Sequence, residues 1–236
     1  MDLVERTQRI YARIAGILFL WLIFNVLVGA LIFPSIPVSG TFAEIAERIR
    51  ASEHLFRLGL TSLVIEFLSA LVLAFALYVT LKPVSSLLAL LAMLFHLQDV
   101  FLGNVVQMCG FVRLHLYTAS QIAGPVPAQA LTDLMRSIAS ATENIGGISF
   151  GIALLLFFYL FFKSRYIPRT LSALGLCASA IWTGLYFANL IFPEHHALFR
   201  SICFPLMGLA DVATGFWLML FAVKNRSGTD PLPSAA

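Results

Sequence analysis

The chain has 236 residues, of which 60% are hydrophobic and only 11% are charged, with 21 phenylalanines and a formal net charge of +3. An ordinary soluble domain has about 25% charged residues, so this composition excludes a water-soluble globular protein. The few basic residues flank apolar runs and form no stripe, which excludes nucleic acid as a partner and indicates contact with membrane lipids.

Six apolar runs are long enough to cross a bilayer, because about 20 helical residues span its hydrocarbon core. They cover residues 14–33, 58–81, 84–112, 143–162, 168–192 and 198–223. We therefore predict an all-α, polytopic fold: a single six-helix membrane domain over residues 1–226, with a short polar C-terminal tail at 227–236. The first run is longer than the core of a cleavable signal peptide, so we expect it to remain as the first helix.

Between the first two runs, residues 41–54 have an amphipathic pattern. Phe42, Ile45 and Ile49 recur at helical spacing opposite charged residues, and Thr41 is suited to cap the helix N-terminus. The segment is too short and too charged to span, so it predicts an interfacial helix. Residues 117–142 combine a Gly-Pro-Val-Pro turn with a milder amphipathic stretch, which predicts a second interfacial helix on the same side.

The third span carries polar residues near its middle. His96 and Asp99 are one helical turn apart, and Gln107 lies on the same face. A charged carboxylate near the bilayer centre costs at least about 2.5 kcal/mol, so this face is predicted to point into the bundle. Polar residues on the other spans predict one shared polar seam that opens outward. Its candidate residues are Asn25, Glu66, His96, Asp99, Asn104, Gln107, Asn144, Asn189 and Asp211.

Three of these residues, Glu66, Asp99 and Asp211, are carboxylic acids inside apolar runs. No Lys or Arg lies deep enough to pair with them, so we expect at least one of the three to be protonated at neutral pH. Two interpretations stay open. The carboxyls either belong to a hydrogen-bonded network that holds the helices together, or they bind a proton or a cation.

The motifs of known metal and cofactor sites do not occur in the chain. There is no H-E-x-x-H sequence, no pair of histidines on one helix face and no Gly-rich phosphate loop. The cysteines at positions 109, 177 and 203 are widely spaced within apolar runs, which argues against a zinc site. We therefore predict neither a metal nor a cofactor, and no catalytic residue is identified.

Basic residues near the span ends predict the orientation, because Lys and Arg are in excess on the cytoplasmic side. With six spans, both termini lie on one side. That side carries Arg6, Arg9, Arg13, Lys82, Lys163, Arg165, Arg169, Lys224 and Arg226. The opposite side carries Arg48, Arg50, Arg57, Arg113, Arg136 and Arg200. We therefore predict a multi-pass protein of the inner (plasma) membrane with cytoplasmic N- and C-termini.

Five short stretches in order resemble a known family. They are "ARIAGILFL", "SEHLFRLGL", "LYVTLKPVSSLLALLAMLFHL", "GIALLLFFYLFFKSRYIPRTLSALGL" and "GLADVATGFWLMLFAVK". Together they resemble the bacterial integral-membrane family called domain of unknown function 4386, over nearly the whole chain. In the family pattern, Arg is frequent at the position of His96 and Glu at that of Asp211. The resemblance implies a membrane fold and location, and it implies no activity.

A function can therefore be inferred only from the residues of this chain. We expect a non-enzymatic membrane protein whose seam binds or conducts a small solute or proton. One alternative is an intramembrane enzyme acting on a lipid or isoprenoid-like substrate, with Glu66, Asp99 or Asp211 as acid or base. Another is an accessory subunit that packs against a larger membrane complex. The sequence leaves open a homo-oligomer or another membrane partner.

Overall fold

A computed structural model describes residues 3–32, 40–123, 125–192 and 196–222. In these ranges the chain forms α-helices and no strand. The helices are α1 (Leu3–Ile32), α2 (Phe42–Ala51), α3 (Glu53–Leu81), α4 (Ser86–Ala123), α5 (Pro125–Ser164), α6 (Arg169–Ile191) and α7 (His196–Phe221). All except α2 are long and apolar enough to cross a membrane. The chain is thus an all-helical, multi-pass membrane protein, and the predicted fold class and six spans are confirmed.

The six long helices pack in a ring. In the order α1, α3, α4, α5, α6, α7, each helix packs against the next, and α7 packs against α1. The main contact across the ring joins α3 to α5. We call the side on which α1 begins the N-side and the opposite side the far side. Because the ring closes, side chains from all six helices reach a common interior.

Apolar side chains fill the N-side half of this interior. Leu73 and Leu77 of α3 and Phe157 and Phe161 of α5 are almost completely buried there. The core cluster that contains them also receives side chains from α1, α4, α6 and α7. We call this layer the N-side plug. The same cluster continues past the middle of the ring at Trp182 and Tyr186 of α6, and the polar residues of the far-side half gather beside it.

The ring closes through a close crossing of α1 and α7. A Cβ atom added to Gly16 of α1 would lie 2.5 Å from the backbone nitrogen of Met219 and 2.7 Å from the backbone oxygen of Gly215. Only glycine allows two helix backbones to approach so closely, which is the usual role of small residues between membrane helices.

The first predicted interfacial helix is present as α2. Thr41 caps it in a capping box, accepting from the Glu44 N–H at 3.4 Å, while the Thr41 N–H donates to Glu44 Oε2 at 3.0 Å. Its apolar face, with Ile45 and Ile49, is buried against α3 and α4. The helix therefore rests on the far side of the bundle. It ends earlier than expected, because α3 already begins at Glu53 and not near residue 58.

The prediction of a separate second interfacial helix is wrong. Residues 125–164 form the single helix α5, which pairs with α4, itself one uninterrupted helix to Ala123. Pro125 is the first residue of α5, a position at which the missing N–H costs no hydrogen bond. Pairing along α4 stabilises the helix where the sequence suggested a break. The apolar residues of the amphipathic stretch, Leu131, Leu134 and Ile138, are exposed.

Other helix ends also differ from the predicted spans. The first helix begins at Leu3 and includes the basic N-terminal residues, about three turns earlier than predicted. The last helix begins at His196 and ends at Phe221. The predicted polar tail at 227–236 lies outside the described residues. At 38 residues, α4 is about 57 Å long, so the α4–α5 hairpin extends beyond the hydrocarbon core on the far side.

Candidate functional site

His96 lies at the inner end of the predicted seam, where α4 faces α3 and α5. Its side chain is only 1% exposed. The ring centroid is 5.7 Å from that of Phe150 and 6.4 Å from that of Phe157. The imidazole lies beside the Ala70 backbone of α3, yet neither ring nitrogen forms a hydrogen bond of ordinary geometry. A buried imidazole with unused hydrogen-bonding capacity can take up a partner or a proton.

Asp99 lies one turn further toward the far side, and Glu66 is nearer still to that side. Asp99 is on α4 and Glu66 is on α3, and their carboxyl groups interact electrostatically. Asp99 Oδ1 lies 3.2 Å from the position that a Cβ of Gly146 would occupy, so the small residue on α5 leaves room for the carboxyl. Glu66 Oε2 is buried and has no hydrogen-bond partner among the described residues. The structure therefore brings two carboxyls and an imidazole into one region.

A tight contact fixes the register of the two helices that carry these carboxyls. Phe67 of α3 packs on Gly103 of α4, where an added Cβ would lie only 2.0 Å from the phenyl ring. Phe67 is the residue after Glu66, and Gly103 is one turn after Asp99. Because α3 and α4 run antiparallel, Glu66 lies on the far side of the Phe67–Gly103 contact and Asp99 on its N-side.

Amide side chains lie on the far side of Asp99. Asn189 of α6 donates to Asn144 of α5, and the Asn144 amide donates to the backbone oxygen of Ser140 at 3.0 Å. Asn104 donates to the backbone oxygen of Val100 at 2.9 Å, and Gln107 is buried. These residues join neighbouring helices or satisfy their own helix. They give the far-side half of the ring its polar character.

Two candidate residues lie on the other half of the ring. Asn25 of α1 is buried and donates to its own helix at the backbone oxygen of Trp21, at 3.0 Å. Asp211 of α7 is 8% exposed, and its Oδ1 atom has no hydrogen-bond partner among the described residues. In the ring, α7 lies opposite α4. That Asp211 shares a site with Glu66 and Asp99 stays a prediction.

The sequence interpretation missed a polar contact on the N-side. The Gln8 amide of α1 donates to the backbone oxygen of Thr80 at 2.8 Å and to the Tyr166 hydroxyl at 3.0 Å. Trp217 of α7 donates to the backbone oxygen of Tyr166 at 3.3 Å. Gln8 precedes the predicted first span, which begins at residue 14, although it shares a helix face with Ala12, which is buried. That spacing is the signal that would have placed Gln8 inside the bundle.

The chemistry of the site is that of proton and hydrogen-bond acceptance. Two carboxyls and an imidazole offer acceptor atoms at the end of a polar half-ring, with aromatic rings behind them. Within the part of the chain that the structure describes, no three His, Cys, Asp or Glu side chains are grouped closely enough to hold a metal ion.

The comparison with known proteins gives a family and no activity. No curated protein and no solved structure matches the chain. A family model described as a domain of unknown function matches residues 14–222, which include all six spans in part or in full and every candidate residue of the seam. The resemblance predicted from the sequence is thereby confirmed, and the chain belongs to the family called domain of unknown function 4386.

Proposed function

We propose that this integral membrane protein is not an enzyme and that it binds a small solute or a proton in the polar half of its helix ring. The observation that supports the proposal best is the electrostatic interaction of Glu66 with Asp99, which lies one helical turn from the buried His96. Buried ionisable groups inside a membrane are costly and usually serve ions, protons or polar ligands. Two carboxyls favour a proton or a small cation over an anion.

The distribution of polar and apolar residues supports access from the far side. Asn104, Gln107, Asn144 and Asn189 lie on the far side of Asp99, whereas the N-side plug lies on the other side of His96. Because α2 covers α3 and α4 on the far side, a solute would enter beside α6 and would meet the amides of Asn189 and Asn144 before Asp99. Conduction across the bilayer would need the plug to open, so the arrangement supports binding more directly than passage.

The basic residues support an orientation for this site. Arg6, Arg9 and Arg13 belong to the start of α1, and Lys82 and Lys163 mark the other two N-side turns. By the positive-inside rule, we infer that the N-side is cytoplasmic, that both termini are cytoplasmic and that the membrane is the inner (plasma) membrane. The seam would then open to the outside of the cell.

Two measurements on the purified protein test the proposal. Proton flux is followed in proteoliposomes with an internal pH dye after a potassium gradient and valinomycin have imposed a membrane potential. Binding of sodium, methylammonium and guanidinium is followed by calorimetry in detergent. The wild-type protein is expected to give a signal in at least one assay. Asp99→Asn and Glu66→Gln are expected to abolish it. Asp133→Asn is the control, because Asp133 is exposed and pairs with Arg136 at 3.5 Å.

Folding is checked for each variant by its melting temperature and its elution from a sizing column. A folded wild-type protein that gives neither flux nor binding would contradict the proposal, as would folded Asp99→Asn and Glu66→Gln variants with an unchanged signal. In either case the carboxyls would be part of a structural network, and the accessory-subunit interpretation would take precedence.

A further inference from the structure

A second group of polar side chains without partners lies far from the carboxyls, where α4 and α5 approach their far-side ends. Arg113 of α4 has a buried Nε atom that forms no hydrogen bond, and neither of the ion pairs found among the described side chains involves Arg113. Thr132 of α5 is 2% exposed, and its hydroxyl likewise has no partner in the described ranges. Both groups can donate hydrogen bonds, and buried donors are rarely left unpaired.

The pairing of α4 and α5 brings these donors together. Asp99 faces Gly146 across the two antiparallel helices, and Phe150 faces His96. The same register, continued along the pair, puts Thr132 opposite Arg113. Arg136 lies one turn beyond Thr132 on α5, and its guanidinium interacts electrostatically with that of Arg113. The cluster therefore contains two cations and a hydroxyl.

The charge of this cluster is poorly compensated. Arg136 pairs with Asp133 at 3.5 Å, and both side chains of the pair are about half exposed, so the pair is weak. Tyr117 and Cys109 are the other groups close enough to Arg113 to affect its charge electrostatically. Two like charges held near each other with one weak counter-charge favour an added anion.

Depth in the membrane identifies the kind of anion. Helix α4 begins at Ser86 and rises about 1.5 Å per residue, so Arg113 lies about 40 Å along the helix from its first residue. A bilayer is about 40–45 Å thick when its headgroups are included. Since α4 begins at the N-side surface, Arg113 lies at the depth of the far-side headgroups, where lipid phosphates are concentrated.

We propose that Arg113, Thr132 and Arg136 form a binding site for the phosphate of an anionic lipid headgroup between α4 and α5. The two guanidinium groups donate charge-assisted hydrogen bonds to phosphate oxygens, and the Thr132 hydroxyl donates a further one. This site is separate from the carboxyls of the seam and does not depend on the function proposed for them.

The site is tested by lipid binding to the full-length protein in detergent. Dihexanoyl phosphatidylglycerol, dihexanoyl phosphatidylcholine and inorganic phosphate are titrated separately, with native mass spectrometry for stoichiometry and melting temperature as a second readout. Phosphatidylglycerol is expected to bind with a stoichiometry of one and to raise the melting temperature. Arg113→Gln and Thr132→Val are expected to weaken this binding about tenfold, the usual effect of losing a hydrogen bond to a charged group.

Arg57→Gln is the matched control, because Arg57 is near the far-side end of α3 but forms an exposed ion pair with Glu53 at 2.7 Å. It should bind phosphatidylglycerol as the wild type does. Saturable binding of inorganic phosphate that is lost in Arg113→Gln would support the same site with a soluble ligand. Equal binding of both lipids, or unchanged binding by the folded Arg113→Gln and Thr132→Val variants, would overturn the proposal.

Discussion

His96 is a buried side chain whose polar atoms contribute little to the fold. Its ring lies among Phe150, Phe157 and the Ala70 backbone, and its nitrogens have no hydrogen bond of ordinary geometry. A buried polar group in this state contributes little to folding, since its lost contact with water is not replaced. An apolar ring in the same place would pack about as well. We therefore expect the imidazole to serve binding more than the stability of the fold.

We therefore predict that His96→Phe folds with a stability within about 1 kcal/mol of the wild type or above it. Proton flux or cation binding should nevertheless fall, because the imidazole beside Asp99 is removed. Melting temperature and the proteoliposome assay measure the two effects. His54→Phe, at an exposed position at the start of α3, serves as the control and should change neither. A large loss of stability in His96→Phe would instead assign His96 a structural role.

The carboxyls of Glu66 and Asp99 give a second prediction at this scale. Two negative charges close together in a membrane interior repel each other and lose their hydration, so at least one carboxyl is expected to be protonated at neutral pH. Infrared difference spectra in light and heavy water should show a protonated carboxyl C=O band. Its disappearance is expected in Asp99→Asn or Glu66→Gln and not in Asp133→Asn. A spectrum without such a band at neutral pH would show that both carboxyls are charged.

The helices themselves show where sequence periodicity is informative and where it is not. The spacing of Ile45 and Ile49 predicted α2, because a helix with one apolar and one charged face buries the apolar face against a neighbouring surface. The similar pattern at residues 131–138 belongs to a helix that continues into the bilayer. Helix α5 is stabilised there by packing along α4. Packing between two helices cannot be predicted from the spacing of apolar residues within one segment. The one hint in the sequence is the small residue Ala128, which is buried in the α4–α5 hairpin.

The crossing of α1 and α7 leads to a prediction about glycine. Gly16→Ala would place a methyl group 2.5 Å from the backbone of Met219, and a backbone cannot move aside as a side chain can. The helices would have to separate, which we expect to destabilise the protein by about 1–3 kcal/mol. Thermal unfolding in detergent measures the change.

Gly208→Ala is the control for this experiment, because Gly208 lies on the same helix α7 and a Cβ there would meet no atom within 4 Å. Alanine forms helices better than glycine by up to about 1 kcal/mol, so this variant should be unchanged or slightly more stable. Equal melting temperatures for Gly16→Ala and the wild type would mean that α1 and α7 do not cross closely at Gly16.

At the scale of the whole molecule, hydropathy predicted the number of spans but not their order around the ring. Each apolar run is a local property, whereas the neighbour of each helix depends on contacts between residues far apart in the chain. The sequence therefore identified Glu66, Asp99 and Asp211 as intramembrane acids without showing which would meet. In the ring, α3 and α4 are adjacent and bring Glu66 to Asp99, while α7 with Asp211 lies opposite α4. Gln8 was missed for a similar reason, since its partners belong to α3 and to the turn before α6.

The orientation of the ring in the membrane is the last prediction, and it determines which compartment the seam faces. Nine of the 15 Lys and Arg residues belong to the segments predicted to lie at the N-side, which favours a cytoplasmic N-side. Alkaline phosphatase and green fluorescent protein fusions are made after residues 85, 120 and 226. Fusions at 85 and 226 should fluoresce and lack phosphatase activity, because position 85 is in the N-side turn between α3 and α4 and six spans return the C-terminus to that side. The fusion at 120, near the far-side end of α4, should show the reverse. The reverse pattern at all three sites would place the carboxyls in reach of the cytoplasm, and fluorescence at all three would contradict six spans.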